Sequence, residues 1–362
     1  MQKMKAGIVG TGGISHYHLR GFLRAGVEVI AVADPALDRA RGFAENYRVK
    51  NVYASHQEML RVHPDLDMVS VATPNKFHAP IATDCLNAGV HVFCEKPPAL
   101  NATEVAQMKE AAERNKRLLL FDFNNRARPE AQAIMSYIRN GQVGTINSAQ
   151  AIWIRRCGIP GFGGWFTQKA LSGGGPVIDL LHMIDLALYF MNFPAPAYVL
   201  AATFRDFASD KRFKGPWGLP DMEKAVVDVE TAAHGFVTFQ TGQVLFIRNS
   251  WAELNRREEV SVTFQGTLAG GMVRRLFGRD GLDETAIDEC ELYTMEHGLP
   301  VNKMILVTPD VAMGRETALI NFVEAVQGKT EPLSTPEQAL VLMKIIDAIY
   351  LSAEKKEPVS ID

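Results

Sequence analysis

The first 122 residues repeat one unit, a short apolar run that reads as a buried strand followed by a stretch of helical character. "KAGIVG" (5–10), "VEVIAVAD" (27–34), "DMVSVAT" (67–73), "VHVFCE" (90–95) and "RLLLFD" (117–122) are the strands. Helices are expected after the first glycine-rich turn, from about Leu37 to Tyr47, and near 77–88. Asn101 as N-cap with Glu104 three residues on opens a further helix through a capping box. Near-continuous apolar strands alternating with helices predict a parallel sheet covered on both faces.

From about residue 145 the pattern changes. "TINSAQAIWIR", "AYVLAATFRDF", "VVDVETAAHGFVTFQ", "QVLFIRNSWAEL" and "EEVSVTFQG" are longer β-like runs, and Thr241-Gly242 sits where a hairpin turn is wanted. Thr335, Pro336 and Gln338 start a closing helix. This half reads as an α+β domain on a mostly antiparallel sheet. A chain of 362 residues exceeds the size at which one core keeps growing. The expected division is 1–123 and 124–362, with 206–224 the longest loop.

With 38 basic and 41 acidic residues and no long single-sign block, neither nucleic acid nor an anionic membrane is expected as a partner. The basic cluster Lys211, Arg212 and Lys214 reads as a solvated loop. Four separated cysteines without a CxxC pair fit reduced thiols. His16 and His18 have no carboxylate or thiol at ligand spacing in the sequence, so no metal site is expected. The first residues run straight into a strand, with no charged-then-apolar leader, and no apolar run is long enough to span a bilayer. A cytoplasmic location is the expectation.

The turn after the first strand, Gly10, Thr11, Gly12, Gly13 and Ile14, is the candidate cofactor cradle. The first glycine permits a tight turn, and the second removes a side chain where backbone N–H groups approach a pyrophosphate at a helix N-terminus. Ser15 stands in the usual third small position. Asp34, 22 residues after Gly12, ends the second strand where a carboxylate would accept hydrogen bonds from an adenosine ribose. That carboxylate favours NAD over NADP, while Arg39 leaves NADP open. Lys96, in "CEKPPAL", follows the fifth strand, and ligands of such sheets bind at the C-terminal strand ends.

Together "GIVGTGGISHYH", "ATPNKFH", "EKPPAL" and "SGGGPVIDLLHMIDLALYFM" resemble, in order along the chain, the glucose–fructose oxidoreductase/inositol dehydrogenase (Gfo/Idh/MocA) family. The resemblance implies an N-terminal Rossmann domain and a C-terminal domain on a large open sheet used for homo-oligomerisation, as a dimer or tetramer. It implies hydride transfer between NAD(P) and a hydroxyl carbon of a sugar, cyclitol or related polyol. By position it makes Lys96, Asp179 and His182 catalytic, and Thr73, Pro74, Asn75, His78 and Glu95 cofactor-lining. It sets Trp165 near the substrate or nicotinamide and Arg126 at the edge of the active site, toward both cofactor and substrate. Phe166 stands where an arginine is common. Asp179 and His182 are three apart, one fewer than in the family pattern, so on one helix they would differ by about 60° and share a broad face.

On this reading His182, whose ordinary pKa is about 6.5, is the general base for the hydroxyl proton. Lys96 would hydrogen-bond the same oxygen and stabilise the developing alkoxide, with Asp179, or failing that Asp185, orienting the imidazole. Asp185 reads as structural. Two other readings stay open: a glycosidase of the same architecture using tightly held NAD, and a cofactor-binding regulator without catalysis.

Overall fold

A computed structural model describes residues 3–223, 226–276 and 287–361. The chain forms two compact units, Met1–Arg128 with Asp310–Leu340, and Pro129–Pro309 with Val341–Asp362.

The first unit runs β1 (Lys5–Val9), α1 (Ser15–Arg24), β2 (Glu28–Ala33), α2 (Leu37–Tyr47), β3 (Asn51–Tyr53), α3 (His56–Val62), β4 (Met68–Val71), α4 (His78–Asn87), β5 (His91–Cys94), α5 (Ala102–Asn115) and β6 (Leu119–Phe121). The six strands are parallel in the order β3-β2-β1-β4-β5-β6, which sets the switch point between β1 and β4. Their buried aliphatics explain the unbroken apolar runs: Ile8, Val32, Met68 and Phe93 lie in one core cluster with Leu19 and Phe22 of α1. Asn101 Oδ1 accepts the Glu104 N–H at 2.9 Å, as the capping box predicts, although the Glu104 carboxylate reaches back to the Leu100 N–H.

The first unit also takes in residues 310–340, which a single cut after residue 123 assigns to the second. The reason lies in α10 (Arg315–Val326). Glu316 accepts from Arg20 Nε at 2.6 Å and Arg24 Nη1 at 2.8 Å, and Leu319 packs so close to Gly21 that a Cβ there would meet it at 3.0 Å.

The second unit contains α6 (Pro129–Arg139), β7 (Ile146–Ile154), the short helices α7 (Lys169–Ser172) and α8 (Pro176–Asp179), α9 (His182–Phe190), β8 (Pro196–Phe204), β9 (Ala232–Phe239), β10 (Val244–Ser250), β11 (Glu259–Gly266), β12 (Gly270–Leu276), β13 (Ile287–Glu296) and β14 (Leu299–Met304). Most of α11 (Pro336–Lys355) and the short β15 (Val359–Ser360) complete it. Among the described residues nine strands form one sheet in the order β14-β13-β12-β11-β7-β10-β9-β8-β15, antiparallel except for β7 with β10. The Thr241-Gly242 turn joins β9 to β10, with Gly242 at φ 82°. Every residue of α9 is buried, matching its apolar sequence.

The 206–224 loop is partly organised, and Lys224 lies outside the described residues. Asp210 caps a single turn at Lys211–Phe213 and pairs with Arg212 at 2.6 Å; Lys214 meets Asp221 at 2.8 Å. The basic cluster is thus balanced by neighbouring acids. Among the described residues no single helix is long and apolar enough to cross a membrane.

Candidate active site

In the first unit the turn after β1 is built for close approach. Gly10 has φ 91°, and a Cβ there would stand 2.3 Å from the Ala72 carbonyl oxygen. This is a position only glycine fills. A Cβ on Gly12 or Gly13 meets nothing within 4 Å, so the approach to the start of α1 is open, and a helix N-terminus favours an anion. Thr11 donates from both its backbone N–H (2.9 Å) and its hydroxyl (3.0 Å) to Asp34 Oδ2. Asp34 also accepts from the Ala36 N–H and from Arg39, whose Nη2 lies 2.8 Å from Oδ1. Burial alone would raise the Asp34 pKa; the Thr11 N–H and the Arg39 guanidinium outweigh it and hold the carboxyl below its ordinary value.

The loops after β4 and β5 are clamped to each other. His78, fully buried at the start of α4, has Nε2 2.7 Å from the Thr73 carbonyl and Nδ1 2.7 Å from the Pro97 carbonyl. Burial lowers its pKa, so the neutral ring donates to one of these carbonyls at a time. Thr73 Oγ1 is buried with no hydrogen-bond partner among the described residues. Asn75 is buried in the single turn after Pro74. The Lys96-Pro97 peptide is cis. His78 is therefore the clamp that holds Thr73 and Pro97 together, rather than a surface lining residue.

Beneath Lys96 lies an ionic cluster that the sequence hid. Glu95 Oε2 accepts the Lys96 backbone N–H at 3.0 Å, and Glu95 Oε1 faces His18 Nε2 at 3.0 Å. Asp122, just after β6, is 3.5 Å from the same nitrogen, and His18 Nδ1 meets the Ser70 hydroxyl. All three titratable groups are buried. Burial opposes the His18 cation, yet Asp122 and Glu95 raise its pKa to about 9. Burial would raise Glu95, but His18 and the Lys96 charge bring it down to about 2. Burial and the Glu95 charge push Asp122 up to about 7. His18, Glu95 and Asp122 are donors of metal-binding type within 4.8 Å of one another, and Asp122 Oδ1 is buried with no hydrogen-bond partner among the described residues. His16, two residues away and on another side of α1, bonds Tyr47 instead.

Arg126, expected at cofactor and substrate, is fully buried. Its Nη1 donates to the Leu333 carbonyl at 2.9 Å and to Gln338 Oε1, and its guanidinium lies over Phe123. A sequence cannot show this, because the partners are more than 200 residues away. The finding corrects the assignment: Arg126 ties the strand-end loop to the returning segment.

In the second unit, Asp179 and His182 do not share one helix. α8 ends at Asp179, α9 begins at His182, and the two arms bend by 51°. The Asn249 amide donates to the carbonyls of Pro176 (3.3 Å) and Leu180 (3.2 Å) at the break. The one-residue shortening of the motif falls at this break, so the helical-face argument for the pair does not apply. Asp179 Oδ2 accepts the Trp251 indole N–H at 2.9 Å and lies 3.8 Å from Arg155 Nη1. His182 is buried, its ring 5.8 Å from that of Trp153. Arg155 stacks on Trp217 at 4.0 Å, approaches Trp153 at 5.3 Å, and lies 3.7 Å from Glu258. Burial lowers the Arg155 pKa, while Asp179 and Glu258 oppose this. Trp165 stacks on Phe166 at 3.7 Å. Sequence reasoning missed Trp153, Arg155, Trp251 and Glu258. Aromatic and arginine residues on β-like runs carry no periodic signal that singles them out.

A doubly wound sheet with a glycine turn, an acidic second-strand end and a lysine after the fifth strand defines a dinucleotide-dependent enzyme class. Residues 4–123 match the family described as "Oxidoreductase family, NAD-binding Rossmann fold" (GFO_IDH_MocA), and residues 136–361 match its C-terminal alpha/beta domain. The chain belongs to this family. It is 33% identical to D-glucoside 3-dehydrogenase of Escherichia coli (strain K12), over 97% of this chain and 95% of that one. Levoglucosan dehydrogenase of Pseudarthrobacter phenanthrenivorans is 27% identical, over 78% and 76%. The structure of a levoglucosan dehydrogenase in complex with NADH and L-sorbose shares the fold, with a TM-score of 0.84, 21% identity and full coverage of both chains.

Proposed function

We propose that this protein is an NAD-dependent dehydrogenase that oxidises a ring hydroxyl of a neutral sugar or cyclitol. The observation that carries the reading is the Glu95–Lys96 arrangement: a lysine after the fifth strand of an NAD-binding sheet, its backbone held by a carboxylate that is itself fixed from below. Similarity along nearly the whole chain to a D-glucoside 3-dehydrogenase supports the substrate class.

The residues present fit NAD. Gly12 and Gly13, beside Gly10, Thr11 and Ile14, leave open space at the start of α1, Thr73 offers an unused buried hydroxyl, and Asp34 is held ionised for a ribose. Pro74 and Asn75 complete this set. When bound, NAD supplies the hydride acceptor. Lys96 donates a hydrogen bond to the substrate oxygen and stabilises negative charge as it develops. His182 takes the hydroxyl proton as general base. Asp179 fixes the approach to His182 through Trp251 and Arg155, and Trp165 offers an aromatic face to the sugar ring. His78 and Glu95 hold the loops that carry Thr73 and Lys96.

We assign assembly as a homo-oligomer, dimer or tetramer, to the outward face of the nine-stranded sheet. Leu200, Phe236 and Phe246 lie side by side across β8, β9 and β10, with Tyr198 57%, Leu200 49% and Phe246 49% exposed. An apolar stripe of this kind marks an interaction surface. Four free cysteines, three of them buried, support a reducing, cytoplasmic setting.

The test is NADH formation from a panel of methyl glucosides, levoglucosan and myo-inositol. Reduced cofactor accumulating with at least one member supports the dehydrogenase. Aglycone release without NADH would mean a glycosidase, and NAD binding without turnover of any panel sugar would mean a regulator.

A further inference from the structure

The space beside Gly174 and Gly175, just before α8, is filled by protein. A Cβ on Gly174 would lie 1.9 Å from the Tyr350 hydroxyl, and one on Gly175 would lie 2.2 Å from the Glu230 carbonyl oxygen. What occupies the space is a hydrogen-bonded pair from distant parts of the second unit. Glu230 Oε1 accepts the N–H of Gly175 at 3.0 Å, the N–H of Val177 at 3.2 Å and the hydroxyl of Tyr350 at 2.9 Å. Its Oε2 also faces the Gly175 N–H at 3.0 Å.

α8 is a four-residue helix, and a single turn does not hold itself in place by its own hydrogen bonds. Its first amides have no intrahelical partner. Glu230 satisfies two of them, and Tyr350, on α11, holds the carboxylate from the other side. From there one turn leads to the site: the Gly175 carbonyl accepts the Asp179 N–H at 3.0 Å, and the Pro176 carbonyl accepts the Leu180 N–H at 2.9 Å. The break and His182 follow directly.

We propose that Glu230 and Tyr350 are positioning residues of the reaction, fixing the start of α8 and through it the placement of Asp179 and His182. The proposal rests on the reading that Asp179 and His182 serve catalysis. Neither residue need touch substrate or cofactor. Their effect is on where the proton acceptor stands, and a displacement of about an ångström in a reacting group lowers turnover by up to about a hundredfold.

The experiment is Tyr350→Phe in the full chain, which keeps the ring and removes the one hydroxyl. It is read by kcat and KM with methyl β-D-glucoside and NAD, by the unfolding midpoint, and by amide hydrogen exchange across residues 173–182. The expected result is a kcat lower by about tenfold to a hundredfold, an unchanged KM for NAD, and faster exchange confined to the Gly175 and Val177 region. A second variant, Glu230→Gln, sets an amide NH₂ against backbone donors and is expected to lower kcat further. If Glu230→Gln does not fold, Tyr350→Phe decides alone. Wild-type kcat and wild-type exchange in Tyr350→Phe would overturn the proposal. Should the wild-type protein not turn over the glucoside, that substrate reading fails separately. Exchange then decides positioning: faster exchange confined to 173–182 upholds it, and unchanged exchange overturns it.

Discussion

Asp179 Oδ2 accepts the indole N–H of Trp251 at 2.9 Å, a bond between residues 72 apart in sequence. Trp251 is fully buried, so its N–H has no solvent to turn to and the bond anchors the aspartate to the sheet side of the second unit. A Trp251→Phe variant keeps most of the aromatic bulk and removes the donor. It is expected to lower stability by about 1–3 kcal/mol, the range for an unmet buried hydrogen bond together with lost ring volume. It should also reduce kcat while leaving NADH affinity unchanged. Chemical denaturation with NADH fluorescence titration checks this. An unchanged midpoint together with unchanged turnover would show that Asp179 does not depend on the indole.

The cofactor-selecting role proposed for Asp34 leads to a second expectation. Asp34→Ala removes a carboxylate and releases Arg39, which then becomes available to a 2′-phosphate. NAD is expected to bind about tenfold to a hundredfold more weakly, corresponding to the ~1.5–3 kcal/mol of hydrogen bonds to a charged group. NADP should gain relative to it. The ratio of the two dissociation constants separates this effect from general loosening of the turn, which would weaken both equally. An unchanged ratio would remove Asp34 from cofactor selection.

How much of this was legible in the chain follows from the range of each interaction. Five of the six strands of the first unit, the Gly10 turn and the Asn101 and Thr335 helix starts depend on neighbours within a few residues, and the sequence displays them. The three-residue β3 and the seven-residue α3 carry too little pattern to stand out. The returning segment 310–340 joins the first unit through Glu316 and Leu319, contacts about 300 residues from their partners on α1. The 172–185 segment was readable as a motif but not as a shape. Its helix break depends on Asn249, and its glycines depend on Glu230 and Tyr350, none of which is marked by local spacing. Arg126 was misplaced for the same reason.

The buried cluster at His18 gives a pH dependence of stability. Its folded pKa of about 9 lies above its ordinary value of 6.5, so its stabilising contribution is complete below about pH 6.5 and is lost as pH rises through about 9. Asp122, raised to about 7 from 3.8, works in the same direction at lower pH, its contribution fading as pH climbs through that window. Glu95, lowered to about 2 from 4.5, stabilises above about pH 4.5 and loses its contribution only as pH falls toward 2. The unfolding midpoint should therefore fall between neutral pH and about pH 9. In His18→Gln the alkaline part of the decline should flatten at a lower overall midpoint. A wild-type midpoint that stays level across this range would contradict the ionic assignment of the cluster.

The central claim is that Lys96 acts on the substrate oxygen in an NAD-dependent oxidation of a sugar. Its most direct measurement is NADH formation by Lys96→Met beside the wild-type protein, with NADH binding measured on both. Met keeps the length of the side chain and removes the charge and the hydrogen-bond donor. The expected result is NADH binding retained and kcat reduced by about a hundredfold to ten-thousandfold, the range for losing a positioned acid–base or charge-stabilising group. A Lys96→Met protein that forms NADH from the sugar at the wild-type rate would contradict the account.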